Sequence, residues 1–353
     1  MPITQLLEQN CKLYPEDIAL VELNPAKNED RRMTWREFEL VHSTQDAPYR
    51  REITWAEFDA QANRFANLLL TRGIQKGDKV ALCAKNSARW GVTFFAANTY
   101  EAVLVPILAD FHPESVNSLV DHSESKVLLT DTDIWNKLDI SKMPTVKAVI
   151  SSSDFSLLYA ADPVIQNASD NLQKLFDEKY PSGFSAADVT YPTDNDKDLA
   201  IINYTSGTTS APKGVMLRYE CVSENVAFGQ KRLPSYPGDQ IVSMLPMAHM
   251  YGMMFELIYP LCGGSSIYYL GKTPTPALLL GAMAEVKPYL VITVPLVMEK
   301  IFKSKVAPVI NKPVMKVITA IPGLNQVIFK KIRTTLLNAF GGNVREIVMG
   351  GAA

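Results

Sequence analysis

"LAIINYTSGTTSAPKG" (Leu199–Gly214) joins an apolar run to a stretch crowded with hydroxyls and glycines that closes on a single Pro-Lys-Gly. The run Leu199–Tyr204 reads as a strand buried on both faces, because its apolar character is continuous rather than alternating. The polar stretch begins where that strand should end, at the carboxyl edge where open α/β sheets bind ligands. Gly207 and Gly214 let backbone N–H groups converge on an anion. The hydroxyls of Thr205, Ser206, Thr208, Thr209 and Ser210 add neutral donors. Lys213 adds a mobile positive charge for a phosphate oxygen, and Pro212 stiffens its approach. A linker or a surface turn could share this composition, but the strand in front favours a loop that holds a polyphosphate. It is not a Walker A loop: counted from Gly207, the second glycine position holds Pro212, and Gly214 follows Lys213 where a hydroxyl would be needed.

Working outward, similar apolar runs recur at 79–84, 102–108, 126–130, 148–151, 240–245, 265–270, 290–295 and 346–350. Helical patterns alternate with them, which predicts an α/β fold of two stacked subdomains with largely parallel sheets. Thr54 and Glu57 have capping-box spacing, and Phe58, Ala62, Phe65 and Leu69 follow on one face before Gly73, so a helix is expected from Thr54 onward. "RMTWREFE" (32–39) resembles "EITWAEFD" (52–59), a local duplication to which no function is assigned. A polar connection covers 151–198, with a weak helix near 167–180. These signals divide the chain into an N-terminal segment 1–51, a first α/β subdomain with its connection 52–198, and a second α/β subdomain 199–353.

Composition excludes several function classes. With 47% hydrophobic and 20% charged residues the chain is globular rather than disordered. A net charge of −2 gives no case for nucleic acid. The four cysteines have no CxxC spacing and the N-terminus has no signal-peptide pattern, so reduced thiols and a cytoplasmic location are expected. "MLPMAHMYGMMFELIYPLCGG" (244–264) carries His249, Glu256 and two prolines, and reads as buried protein rather than a membrane span. Its methionines read as core before they read as the wall of a lipid tunnel. Glu299 and Lys300 read as a solvated helix face. The basic amphipathic stretch 306–333 leaves a peripheral membrane contact open.

"YTSGTTSAPKGVM" resembles the phosphate loop of the acyl-adenylate-forming superfamily, which includes acyl-CoA synthetases, firefly luciferase and peptide-synthetase adenylation domains. "MLPMAHMYG" (244–252) is similar to that family's second core segment. "VPLVMEKI" (294–301) resembles the long-chain fatty acyl-CoA synthetase branch. "GGAA" (350–353) resembles a strand-end turn bordering adenine and the acyl pocket. The likeness runs from about residue 52 to Ala353. It implies ATP, a medium- or long-chain fatty acid and coenzyme A as substrates, with Mg²⁺ bridging the phosphates. Thr205, Ser206, Gly207, Thr208, Thr209, Ser210 and Lys213 would hold the nucleotide, Lys213 and Thr205 being the catalytic pair. Gly351 and Ala352 would border the adenine, and His249, Gly252, Gly350 and Gly351 the acyl end. Relatives usually have glycine at Ser210; if that position needs positive φ, serine costs about 1–2 kcal/mol. The family's Mg²⁺-binding glutamate, its ribose-binding acid and its small C-terminal domain are expected beyond Ala353, and the chain alone is expected to turn over slowly or not at all. Aryl- or acetyl-CoA ligases, peptide-synthetase adenylation domains, and a non-catalytic ATP- or acyl-binding module are the alternatives.

Overall fold

A computed structural model describes residues 3–14, 16–23, 32–33, 50–54, 74–182, 196–205, 212–270, 274–305, 307–310 and 324–351. The strands begin with β1 (Ile18–Leu23), β2 (Arg32–Met33), β3 (Arg50–Thr54), β4 (Lys79–Cys83), β5 (Val103–Pro106), β6 (Val127–Thr130) and β7 (Ala148–Ser151). They continue with β8 (Leu157–Ala160), β9 (Leu199–Thr205), β10 (Lys213–Arg218), β11 (Gln240–Ser243), β12 (Ser266–Tyr269), β13 (Leu290–Thr293) and β14 (Glu346–Met349).

Two sheets carry the fold, in the spatial orders β10-β9-β5-β4-β6-β7-β8 and β14-β13-β11-β12-β1-β3-β2. Both are largely parallel. The first has antiparallel pairs only at its flanks, β9–β10 and β7–β8, and the second where β3 meets β1. Every apolar run singled out in the sequence contains a strand. The first sheet comes from one stretch of chain, residues 79–218, whereas the second joins β1–β3 to β11–β14. β9 and β10 complete the sheet of residues 79–160, while β1 enters the other sheet beside β12. A division at 198/199 therefore falls inside the first sheet, between β8 and β9. Which edge a strand can pair with, rather than its neighbour in sequence, sets its place.

The continuous apolar runs have a direct physical reason. Val80, Leu82 and Leu104 face one core, shared with Ile241, Ile267 and Leu290 of the second sheet. Their alternates Ala81, Cys83 and Val105 face the other way, against Val116, Leu119 and Val120. Side chains of a strand alternate, so covering both faces demands apolar residues at both parities. Each fully buried Val or Leu contributes about 1.5–3 kcal/mol.

The helices used below are α1 (Ile3–Leu13), α2 (Ala88–Thr99), α3 (Pro113–His122), α4 (Pro163–Asp170) and α5 (Leu172–Lys179). After them come α6 (Tyr219–Arg232), α7 (Met250–Met253), α8 (Pro276–Val286), α9 (Pro295–Lys305) and α10 (Leu324–Ala339). α2 packs on β5 of one sheet and β1 of the other. Ser87 caps it by accepting the Trp90 N–H at 3.2 Å, and Ala88–Asn98 are all buried. That is why "ARWGVTFFAANT" is apolar around most of its circumference, with Thr93 and Asn98 turning their polar atoms back onto the helix backbone. The weak helix expected near 167–180 is two helices, α4 and α5, broken at Asn171. The helix expected from Thr54 falls on residues 55–73, outside the described residues, as does most of the first duplicated copy; Thr54 itself ends β3.

Candidate functional site

The two anchors of the hydroxyl-rich loop are a strand end and a strand start. Thr205 closes β9, Lys213 opens β10, and the antiparallel pairing sets Lys213 opposite Thr205 and Gly214 opposite Tyr204. Because β9 runs parallel to β5, Thr205 lies at the carboxyl edge of the first sheet. Ser206, Gly207, Thr208, Thr209 and Ser210 lie outside the described residues. Gly214 is required locally: a Cβ there would fall 2.9 Å from Ile202 Cγ2 and 3.3 Å from the Tyr204 ring. Lys213 is exposed, which leaves its ammonium available to an anion.

His249 is brought to this edge by a residue of β9. Asn203, 6% exposed, donates from Nδ2 to Ala248 O at 3.0 Å. A second amide joins the sheets from the end of β4. Asn86 donates from Nδ2 to Leu245 O at 2.6 Å and accepts the Met247 N–H at 2.9 Å. Both asparagines thus satisfy backbone groups of the turn after β11, where no strand partner exists. A cleft of about 190 Å³ opens along this seam, lined among others by Lys85, Asn86, Asp110, Ser243, Pro246 and Ala248.

The turn is held from beneath by Glu256, which has no exposed surface. Its Oε2 accepts from Ser243 Oγ at 3.0 Å, Met244 N at 2.8 Å and Leu245 N at 2.8 Å. Oε1 has no partner. Burial pushes the carboxyl up to about 8, outweighing three hydrogen bonds that favour the ionised form. Glu256 lies in a single π-helical turn, Met254–Ile258, an irregularity frequent at functional sites.

His249 caps α7, its Nδ1 accepting the Tyr251 N–H at 3.2 Å. A ring nitrogen that accepts carries no proton, so Nε2–H is the free donor of the exposed imidazole. Gly252 lets the turn fold back on itself, since a Cβ would sit 2.4 Å from Pro246 O. Tyr251 then reaches the second sheet's edge, donating from its hydroxyl to Val348 O at 3.1 Å. Its ring covers Gly350, where a Cβ would fall 2.7 Å away. Gly350 N donates to Thr293 O at 3.1 Å, and Gly351 has φ +74°. Thus His249 and Gly252 meet Gly350 through Tyr251, and meet Thr205 and Lys213 through Asn203. Ala352 lies outside the described residues.

A family model described as AMP-binding enzyme matches residues 40–353. The chain belongs to this family of AMP-binding enzymes. Long chain acyl-CoA synthetase 6 of Arabidopsis thaliana is 26% identical to this AMP-binding chain over 252 residues, 71% of the chain and 35% of the relative. Long-chain-fatty-acid–CoA ligase 5 of Rattus norvegicus is 25% identical over 342 residues, 89% of the chain and 48% of the relative. The chain therefore spans between a third and half of the length of these relatives. Among solved structures, the N-terminal domain of FACL13 from Mycobacterium tuberculosis superposes with a TM-score of 0.66 at 21% identity, covering 100% of the chain and 70% of that domain. The fold is that of the N-terminal domain of acyl-adenylate-forming enzymes.

Other sequence readings resolve plainly. Met244, Met247, Met253 and Met254 are buried in the main core. Glu299 is solvated and pairs with Lys303 on α9 at 2.5 Å. Cys83, Cys221 and Cys262 are free thiols. No described helix is long and apolar enough to cross a membrane. Sequence reading missed Asn86, Asn203, Glu256 and Tyr251. For two of them a signal existed: an amide inside the apolar run "LAIINY" and one acid inside "MLPMAHMYGMMFELIYP" must each find partners if buried.

Proposed function

We propose that this AMP-binding chain supplies the adenylation site of a fatty acyl-CoA synthetase acting on a medium- or long-chain acid. The single observation that carries the reading is the hydrogen bond from Asn203 to Ala248 O, which ties the strand entering the hydroxyl-rich loop to the turn bearing His249. The relatives named above act on long-chain acyl groups by their names, which supports this substrate class. The other acyl-adenylate-forming ligases share the loop motif and become outcomes of the test.

In this reading a carboxylate oxygen attacks the α-phosphorus of ATP. The new oxygen–phosphorus bond forms as the bond to the β-phosphate oxygen breaks, and pyrophosphate leaves with its electron pair. No general base is needed, because a carboxylate is already ionised at neutral pH. What the protein must supply is charge neutralisation and alignment of an anion with a polyanion. Lys213 and the Thr205 hydroxyl, with Ser206–Ser210, would hold the β- and γ-phosphates. His249 Nε2–H would donate to the acid at the far side of the seam, and Gly252, Gly350 and Gly351 would leave room for the acyl end, with Ala352 beside the adenine. The coenzyme A thiol would then attack the acyl carbonyl and release AMP. Among the described residues no group of three His, Cys, Asp or Glu could hold a metal ion. Mg²⁺ would supply further neutralisation as a companion of the nucleotide phosphates.

The test is an ATP–pyrophosphate exchange screen of the full-length natural protein against acids from acetate to oleate, with benzoate included. Exchange supported best by acids of medium or long chain is expected. Exchange with benzoate or acetate alone would reassign the substrate, and no exchange with any acid would overturn the reading. The same screen on residues 1–353 is expected to give little or no turnover.

A further inference from the structure

We infer that His122 is a positioning residue for the nucleotide loop, acting through Tyr204. This rests on the proposed adenylation function and adds to it a residue that lies outside the loop and the acyl turn. His122 is the last residue of α3. Its Nδ1 lies 2.7 Å from the Tyr204 hydroxyl, and the two rings meet edge to face, 5.7 Å between centroids at 74°.

Tyr204 is the residue before Thr205, so whatever fixes its side chain fixes the direction in which β9 delivers its last residue. The ring is gripped from two sides. Gly214 lies across from it in the β9–β10 pairing, so close that a methyl group there would come within 3.3 Å of Cε1. His122 holds the opposite, polar end. Burial raises the Tyr204 hydroxyl above its ordinary range, which keeps its proton in place to donate. With Nδ1 bare, the imidazole accepts from the phenol there.

The geometry separates this pair from the core beneath it. Ile202 and Tyr204 are partly buried against the cluster of Val116, Leu119 and Val120 on the outer face of the first sheet. A purely structural tyrosine would need only that apolar contact. The hydrogen bond adds direction, and the element it directs ends in a residue proposed to touch phosphate. Loop anchors matter because a displacement of about 1 Å can cost on the order of a hundredfold in rate.

The experiment is a double-mutant cycle in the full-length natural protein, read by ATP–pyrophosphate exchange with the best acid of the screen and by urea unfolding. His122→Ala and Tyr204→Phe are each expected to raise KM for ATP by about fivefold, consistent with the loss of one hydrogen bond. KM for the acid is expected to stay within twofold. The double variant should be no worse than either single one, because both remove the same bond. His122→Gln, which can still accept from the phenol, should recover most of the ATP affinity. Additive effects, equal changes in both KM values, or a loss seen only in urea stability would overturn the inference. If His122→Ala unfolds, His122→Gln and Tyr204→Phe still decide it. Wild-type protein without any exchange would sink the adenylation reading and this inference together. Exchange indifferent to His122 would sink this inference alone.

Discussion

The hairpin that ends at Thr205 and restarts at Lys213 lies one hydrogen bond from the turn carrying His249, Asn203 Nδ2 to Ala248 O, yet the two are held by different forces. The hairpin is tied by backbone pairing on an edge strand, with Lys213, Val215, Met216 and Arg218 exposed along β10. The turn has almost no regular backbone pairing and is held by buried side chains: Glu256 on two N–H groups and a hydroxyl, Asn86 on one N–H and one carbonyl, Asn203 on another carbonyl. A charged group proposed to meet a ligand, as Lys213 is, can stay solvated while the ligand is away. A turn that shapes a pocket wall must be rigid beforehand, and buried polar groups supply that at the risk of instability if one partner is lost.

The comparison breaks most visibly at Glu256. Glu256→Ala strands two buried N–H groups and is expected to cost about 4 kcal/mol of unfolding free energy in urea, at about 1–3 kcal/mol per unsatisfied group. A cost under about 1 kcal/mol would mean the turn is held by its neighbours. The same carboxyl predicts a pH dependence. Burial lifts it to about 8 in the folded chain, while the unfolded chain releases the proton near the ordinary carboxylate value of about 4.3. The folded state therefore binds more protons between those values, so the stabilisation is full below about pH 4 and is lost as pH rises through about 8. Relative to Glu256→Gln, the wild type should lose about 4 kcal/mol between pH 5 and pH 9, at about 1.4 kcal/mol per unit while the states differ. Parallel curves for the two proteins would contradict this.

The hairpin should respond in the opposite way. Lys213→Ala is expected to lower pyrophosphate exchange about a hundredfold, the scale of one lost electrostatic contact to a transition state, while urea stability moves by less than about 0.5 kcal/mol. A stability loss matching that of Glu256→Ala would erase the distinction. Asn203→Ala sharpens it from between. Removing one buried amide should cost about 1.5 kcal/mol and raise KM for the acid more than KM for ATP, since the carbonyl it frees belongs to the His249 turn. Equal changes in both would locate its effect in β9 instead.

Much of the fold was legible because burial on both faces writes itself into composition. The runs at 79–84 and 126–130 had to be strands between two apolar layers, and β4 and β6 occupy them. The place of β1 beside β12, and of β9 beside β5, was not legible, since the choice of a pairing partner leaves no mark within a strand's own residues. The same holds at the site. The hydroxyls and glycines after Tyr204 carry their chemistry locally, whereas Asn86 meets Met247 across 161 positions of sequence and His122 meets Tyr204 across 82.

By itself, then, the order of residues determined an alternating α/β chain, a polar arc with one lysine at a strand's carboxyl end, and a histidine turn after another strand. Only the tertiary structure decided that the second sheet joins β1–β3 to β11–β14 from distant parts of the chain, and that Asn203, Asn86 and Glu256 bind the turn to that strand's edge. Local backbone preference and hydrophobic pattern act over a few residues and can be read in order. Satisfaction of a buried polar group depends on whichever partner packing delivers, and packing ignores sequence distance.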